Sequence, residues 1–189
     1  MAYLDQKSLE SMGFAELGSN VLISDRASIY GASRIKIGSN VRIDDFCVLS
    51  AGVGGIELGN YIHIAVGSLL IGASLIKMED FSGLSSRVSI YSSSDDYSGS
   101  ALTNPTVPSE YTNIKSADVV LGRHVIIGSG SVVLPGVVIA DGVAVGALSL
   151  VNKKCDPFFI YAGNPAKRIK ERKRDLLEME QRLIQRVGE

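Results

Sequence analysis

The sequence holds two histidines, His63 and His124. Histidine, with an ordinary pKa of about 6.5, is the residue suited to deprotonate a hydroxyl at that pH. A second group with chemical potential is the carboxylate pair Asp95-Asp96 in the segment YSSSDDY. A carboxylate alone is a weak base for a hydroxyl, but beside an imidazole it fixes the tautomer and stabilises the imidazolium. Two histidines fall short of a three-histidine zinc site, so no metal is expected. Cys47 and Cys155 are too few for a disulfide scaffold.

The elements that position these groups follow from a six-residue rhythm. Between Leu121 and Val151 an aliphatic residue opens every block: Leu121, Ile127, Val133, Ile139, Val145 and Val151. Four places later stands a small or β-branched residue: Val125, Ser131, Val137, Val143, Ser149 and Cys155. Six is a multiple of the strand period of two and fits no helix. The chain therefore coils as a parallel β-helix, one short strand and one corner per block. The rhythm also runs upstream, with turns beginning at Leu17, Ile37, Leu58 and Met78, and later at Leu121 and Ile139. About six triangular coils, spaced about 4.8 Å apart, stack to about 29 Å. Cys47 and Cys155 fall four coils apart, about 19 Å, which excludes a bridge.

This register gives each histidine a place. His63 closes the block LGNYIH beside the inward Ile64, so it points out of the prism. Its column holds Arg42, Gly83 and Ile126, and Gly83 leaves open space above it. His124 takes the fourth place of its block, as do Asn20 and Asn40, and reads as a polar corner residue. A solvated surface histidine remains the plain alternative for His63.

The blocks resemble the [LIV]-[GAED]-x-x-[STAV]-x hexapeptide of the left-handed β-helix acyltransferases. GRHVIIGSGSVVLPGVVIADGVAVGA followed by YAGNPAKRIK is similar to the galactoside and maltose acetyltransferase group of sugar O-acetyltransferases. The resemblance covers about residues 17 to 170 and implies a left-handed coil, a homotrimer, and acetyl-CoA held in a groove between prisms. By matched position it places Ser129, Ala147, Asn152, Lys153 and Lys167 against the cofactor. Small side chains would let pantetheine lie on the coil, and lysines suit its phosphates. The related enzymes place a catalytic histidine five residues after the opener preceding the loop; here the opener is Ile90 and the slot holds Asp95. A tryptophan beside the cofactor is replaced by Ile126. His63 and Asp95 are thus the expected catalytic pair, with Asp95 or Asp96 orienting the imidazole. Ala65, Asp96 and Tyr97 are assigned to substrate binding.

The divisions are a helical cap over residues 1–16, a β-helix over 17–165 with an inserted loop at 92–118, and an amphipathic helix over 166–189. Residues 4–12 supply the first helix, with Gly13 as its stop. Leu176, Leu177, Met179, Leu183, Ile184 and Val187 recur at helical spacing in the last. The loop carries Tyr91, Tyr97, Tyr111, Pro105 and Pro108, and a loop this long in a compact repeat is commonly functional. With 20 glycines, no tryptophan and a net charge of −1, no global field favours nucleic acid or an acidic membrane. The N-terminus has neither a basic start nor an apolar core, and residues 132–151 read as coil interior instead of an integral membrane segment, so a cytoplasmic protein is expected.

The leading expectation is acetyl transfer from acetyl-CoA to a sugar hydroxyl in surface polysaccharide synthesis. The alternative is N-acylation of a nucleotide-linked amino sugar, since an amine needs less help from a base. A non-catalytic trimeric β-helix scaffold is the reading from a different class.

Overall fold

Three-residue strands alternate buried, exposed, buried, as at Val21–Ile23, Val41–Ile43 and Ile62–Ile64. Each such strand turns one aliphatic pair inward and one side chain out, because the strand period is two. A computed structural model describes residues 2–187 of the chain. The strands stack in parallel into three sheets that form the faces of a triangular prism. The first face runs from Glu16–Leu17 to Val138–Ile139, the second from Val21–Ile23 to Ala144–Val145, and the third from Ser28–Tyr30 to Leu150–Val151. The inward openers Ile23, Ile43, Ile64, Leu84, Ile127 and Val145 pair coil on coil and are buried. The small inward slots from Val125 to Cys155 are buried too. Ser131 and Ser149 are accommodated there by donating to the Gly146 carbonyl.

Six full coils are present, and a partial seventh extends them. Cys155 bridges to Ile139, and Phe159–Ala162 adds to the end of the second face. Both cysteines are free and buried. Burial pushes the Cys155 thiol up to about 11 and raises that of Cys47 as well.

The corner between the first and second faces is built from left-handed backbone: Asn20, Asn40, Tyr61, Phe81, His124 and Phe158 all have φ between 54° and 59°. Asparagine tolerates this conformation and bulky residues do so at a cost. Stacking offsets that cost. Tyr61 lies 4.7 Å from Phe81, and Phe81 lies 5.2 Å from His124, with nearly parallel rings. Gly142 continues the column at φ +69°, where an added Cβ would run into the Phe158 ring.

The ends differ in part from expectation. The N-terminal helix is Gln6–Ser11, capped by Asp5 accepting from the Ser8 amide, and its Leu9 is buried over the first coil. The expected helix over 166–189 starts later than expected, and residues 188–189 lie outside the described ones. Lys167–Glu171 forms a strand antiparallel to Phe159–Ala162, and the helix is Asp175–Val187. The physical reason is the open edge of the second sheet, which the basic segment pairs and guards with charge. Arg172 then donates to the carbonyls of His124 and Gly142, turning the chain back over the corner. The helix is pinned there by Glu180, which bonds Arg123 and lies 2.7 Å from His124 Nε2. The insertion leaves the third face after Tyr91 and returns at Val119, with a short antiparallel pair of Ser93–Ser94 and Lys115–Ser116 at its neck. Among the described residues no helix is long and apolar enough to cross a membrane.

Candidate active site

The second face presents one outward side chain per coil. Leu22, Arg42, His63, Gly83, Ile126 and Ala144 form a single row, because successive strands pair in register. Beside it opens a groove of about 370 Å³ lined by His63, Ala65, Gly83, Ser85, Ser86, Ile126 and Ser129, among others. His63 is half-exposed. Its Nε2 lies 2.8 Å from Asp44 Oδ2, while Arg42 Nε donates to Asp44 Oδ1 at 2.7 Å. Burial alone would push the Asp44 carboxyl up, but the bonds from Arg42 and His63 outweigh it and hold it below the usual carboxylate range. A carboxylate only accepts, so Nε2 of His63 carries the hydrogen and Nδ1 of the neutral ring keeps a lone pair.

Asp44 escaped the reading of the sequence, although the register points to it. Arg42 pairs with His63, so a carboxylate two residues past Arg42 lies one coil below and beside the imidazole. The expected pairing of His63 with Asp95 or Asp96 is not made within the chain. Asp95 lies beyond the end of the third face, where the loop begins, and lines a different pocket of about 620 Å³ with Tyr91, Tyr97, Pro105 and Ile114. Asp96 is buried and already engaged: it accepts from the Ser100 and Ser98 hydroxyls and the Ser98 amide, which hold its carboxyl far below the usual range. These bonds clasp the start of the loop. Tyr97 is exposed beside the Asp95 pocket, and Ala65 is buried at the floor of the His63 groove.

The expected cofactor residues divide between two edges. Ser129 lines the His63 groove, and its carbonyl accepts from the Leu148 amide, which sets Ala147 on the next coil of the same corner. Lys167 pairs with Ala162 at the far end of this corner, because the Gly163 carbonyl accepts from Leu150. Ser129, Ala147 and Lys167 thus mark one rail running from His63. Asn152 and Lys153 are exposed at the opposite edge of the third face, just after Leu150–Val151. His124 is confirmed as a corner residue, stacked on Phe81 and bonded to the C-terminal helix.

A triangular solenoid of stacked six-residue blocks is the architecture of the hexapeptide transferases. The family described as "Bacterial transferase hexapeptide (six repeats)" matches residues 118–153. A dTDP-4-amino-4,6-dideoxy-D-glucose acyltransferase from Escherichia coli is 57% identical over 180 residues, spanning 95% of this chain and 94% of that protein. The chain belongs to the hexapeptide-repeat acyltransferases. Among solved structures, AntD, an N-acyltransferase from Bacillus cereus in complex with dTDP and 3-hydroxybutyryl-CoA, superposes with a TM-score of 0.95 at 46% identity, over 99% of this chain and 98% of that one. A maltose O-acetyltransferase from Clostridium difficile has a TM-score of 0.60 at 21% identity, over 90% of this chain and 78% of that one, and shares the fold alone. These relatives move the weight from the expected hydroxyl acceptor to the amino-sugar alternative.

Proposed function

We propose that this protein transfers an acyl group from an acyl-coenzyme A thioester to the amino group of a dTDP-linked 4-amino-4,6-dideoxyglucose. The observation that carries this reading is 57% identity along nearly the whole chain to an acyltransferase of that sugar. The site is compatible with it. The amine attacks the thioester carbonyl, a C–N bond forms, the C–S bond breaks, and the electron pair leaves on sulfur. The proton shed by nitrogen passes to Nδ1 of His63 and then to the thiolate. An amine needs no strong base, which accords with Asp95 standing where the O-acetyltransferases place histidine. Lys167 holds a coenzyme phosphate at the end of the Ser129–Ala147 rail.

In this reading the working site is shared between copies in a homotrimer. Asp95, Asn152 and Lys153 of one copy meet the His63 rail of the next, and the exposed Leu22, Phe46, Ile126 and Leu148 along that side support such a contact. The acceptor is tested by incubation with acetyl-CoA or 3-hydroxybutyryl-CoA and either the amino sugar nucleotide or its 4-hydroxy counterpart, following thiol release and product mass. Release with the hydroxyl compound but not the amine defeats the proposal. Sharing is tested by mixing inactive His63→Ala and Asp95→Ala subunits. Mixed trimers should regain part of the activity, and a monomer by sedimentation would refute the shared site.

A further inference from the structure

The net charge of −1 conceals a segregation along the chain. Residues 152–175 hold eight of the 19 lysines and arginines against three carboxylates, and residues 1–151 hold nine against 14. The two groups also differ in what their charges meet. In the coils Arg26, Lys36, Arg42, Lys77 and Arg123 each lie against an aspartate or glutamate. Among the described residues no ion pair involves any of the eight from Lys153 to Arg174.

The fold gathers this charge at one end. Lys167–Glu171 is the last strand of the second sheet, beyond Phe159–Ala162, and all five of its residues are exposed. The Arg168 guanidinium lies 4.6 Å from the centre of the Phe159 ring and that of Arg174 4.5 Å from the centre of Phe158, so arginines already cover two aromatic faces. Lys170 and Lys173 are exposed, and Ile169 beside them is 60% exposed. The coenzyme rail described above uses Lys167 and leaves these residues without a role. In the outward row His63, Gly83, Ile126, Ala144, Ile160 and Lys170, five strand spacings, about 24 Å, separate this end from the imidazole.

We propose that the C-terminal end of the prism docks on an anionic lipid bilayer, with Arg168, Lys170, Lys173 and Arg174 at the headgroups and Ile169 in the apolar layer beneath them. Uncompensated positive charge repels itself and is relieved by an external anion. The shape of that anion follows from the arrangement. In a trimer whose axis runs along the prisms, all three basic ends face one way and form a flat, repeated array. Nucleic acid is bound by bases stacking on open aromatic faces or by an element fitted into a groove. Here the rings of Phe158 and Phe159 are taken by arginines, and the end is an edge strand. A flat sheet of headgroups suits it, with long basic side chains at the interface and one aliphatic side chain below. The contact is peripheral, and it leaves the His63 groove on the side of the prism in water. From the acyl-transfer reading it takes only the trimer, which repeats the contact three times.

The test is co-sedimentation of the full chain with vesicles of phosphatidylcholine alone, or of phosphatidylcholine with about 30% phosphatidylglycerol. The wild type should pellet with the anionic vesicles only. Raising NaCl from about 0.1 M to about 1 M should release it, because the screening length falls from about 10 Å to about 3 Å. The double variant Lys170→Gln/Lys173→Gln should partition at least about tenfold more weakly, since each basic residue near such a surface contributes about fivefold. Ile169→Ser should weaken binding to the anionic vesicles as well, whereas Lys77→Gln, in the paired charges of the first face, should not. All these side chains are at the surface, and an unchanged thermal midpoint and sedimentation confirm folding. No binding to anionic vesicles at low salt, equal binding to neutral ones, or binding unaltered in the double variant overturns the assignment. Retention on heparin or single-stranded DNA without vesicle binding assigns the patch to another polyanion and also overturns it. The readout is lipid partition, so a chain inactive in acyl transfer defeats that reading and not this one.

Discussion

Asp44 is the sharpest place to perturb this protein without touching its core. Its side chain is 7% exposed and binds Arg42 and His63 through separate oxygens. Asp44→Asn keeps the shape and removes the charge. Two charge-assisted hydrogen bonds at roughly 1.5–3 kcal/mol each set a ceiling of about 3–6 kcal/mol. Both partners are about half-exposed and regain water, and the amide oxygen still accepts one bond, so the expected loss is about 1–3 kcal/mol at pH 7. The pH dependence has a definite sign. The folded carboxyl lies below its unfolded value of about 3.9, so its stabilisation is complete above that value and disappears as pH falls through the folded one. Urea midpoints of variant and wild type should therefore differ above about pH 5 and converge in acid below about pH 4. The change should also lower kcat, because an asparagine can donate to Nε2 and select the wrong imidazole tautomer. A stability difference that persists unchanged at pH 3, or grows, refutes the ionised cluster.

Other consequences are as direct. Lys167→Ala should raise KM for the coenzyme A donor with kcat nearly constant, since a phosphate contact serves ground and transition states alike; a fall in kcat at constant KM would place the lysine elsewhere. Glu180→Ala removes the partner of Arg123 and His124 and should loosen Asp175–Val187, costing about 1–2 kcal/mol locally and speeding amide exchange in that helix. Cys155, buried with its thiol raised to about 11, should resist alkylation at pH 8 until the protein unfolds, and brisk native labelling would contradict its placement.

How far the fold could be read follows from what a period of six encodes. It names inward positions, and those from Ile23 to Val151 are buried almost without exception because every coil repeats one environment. The seventh turn was harder to see. Its inward residue is Tyr161, whose hydroxyl accepts from the Asp156 amide, and a large aromatic at the prism end breaks the aliphatic rhythm. The run from Lys167 to Arg174 is ambiguous for another reason. Charge carries no period, so a basic edge strand and a basic helix start look alike, and only the unpaired strand at Phe159–Ala162 decides between them. From Leu176 onward the apolar spacing is helical, and the helix is there.

The site was legible to a different degree, for a geometrical reason. A residue of a regular coil has two coordinates, its height and its face, and both follow from its number. His63 was thereby put on the second face beside Gly83 and Ile126, and Asp44, one coil below, lies within the same arithmetic. Asp95 has no such address, because it stands past the last in-register residue of the third face and takes its position from the loop. In the proposed trimer, the distance between Asp95 and His63 also depends on which edge of one prism meets which edge of another. Under that proposal the third coordinate lies in outward apolar residues such as Leu22 and Leu148, which in one chain are only exposed surface. A periodic chain therefore discloses the residues of its regular faces in full, and those of its inserted loop only as an edge without a register.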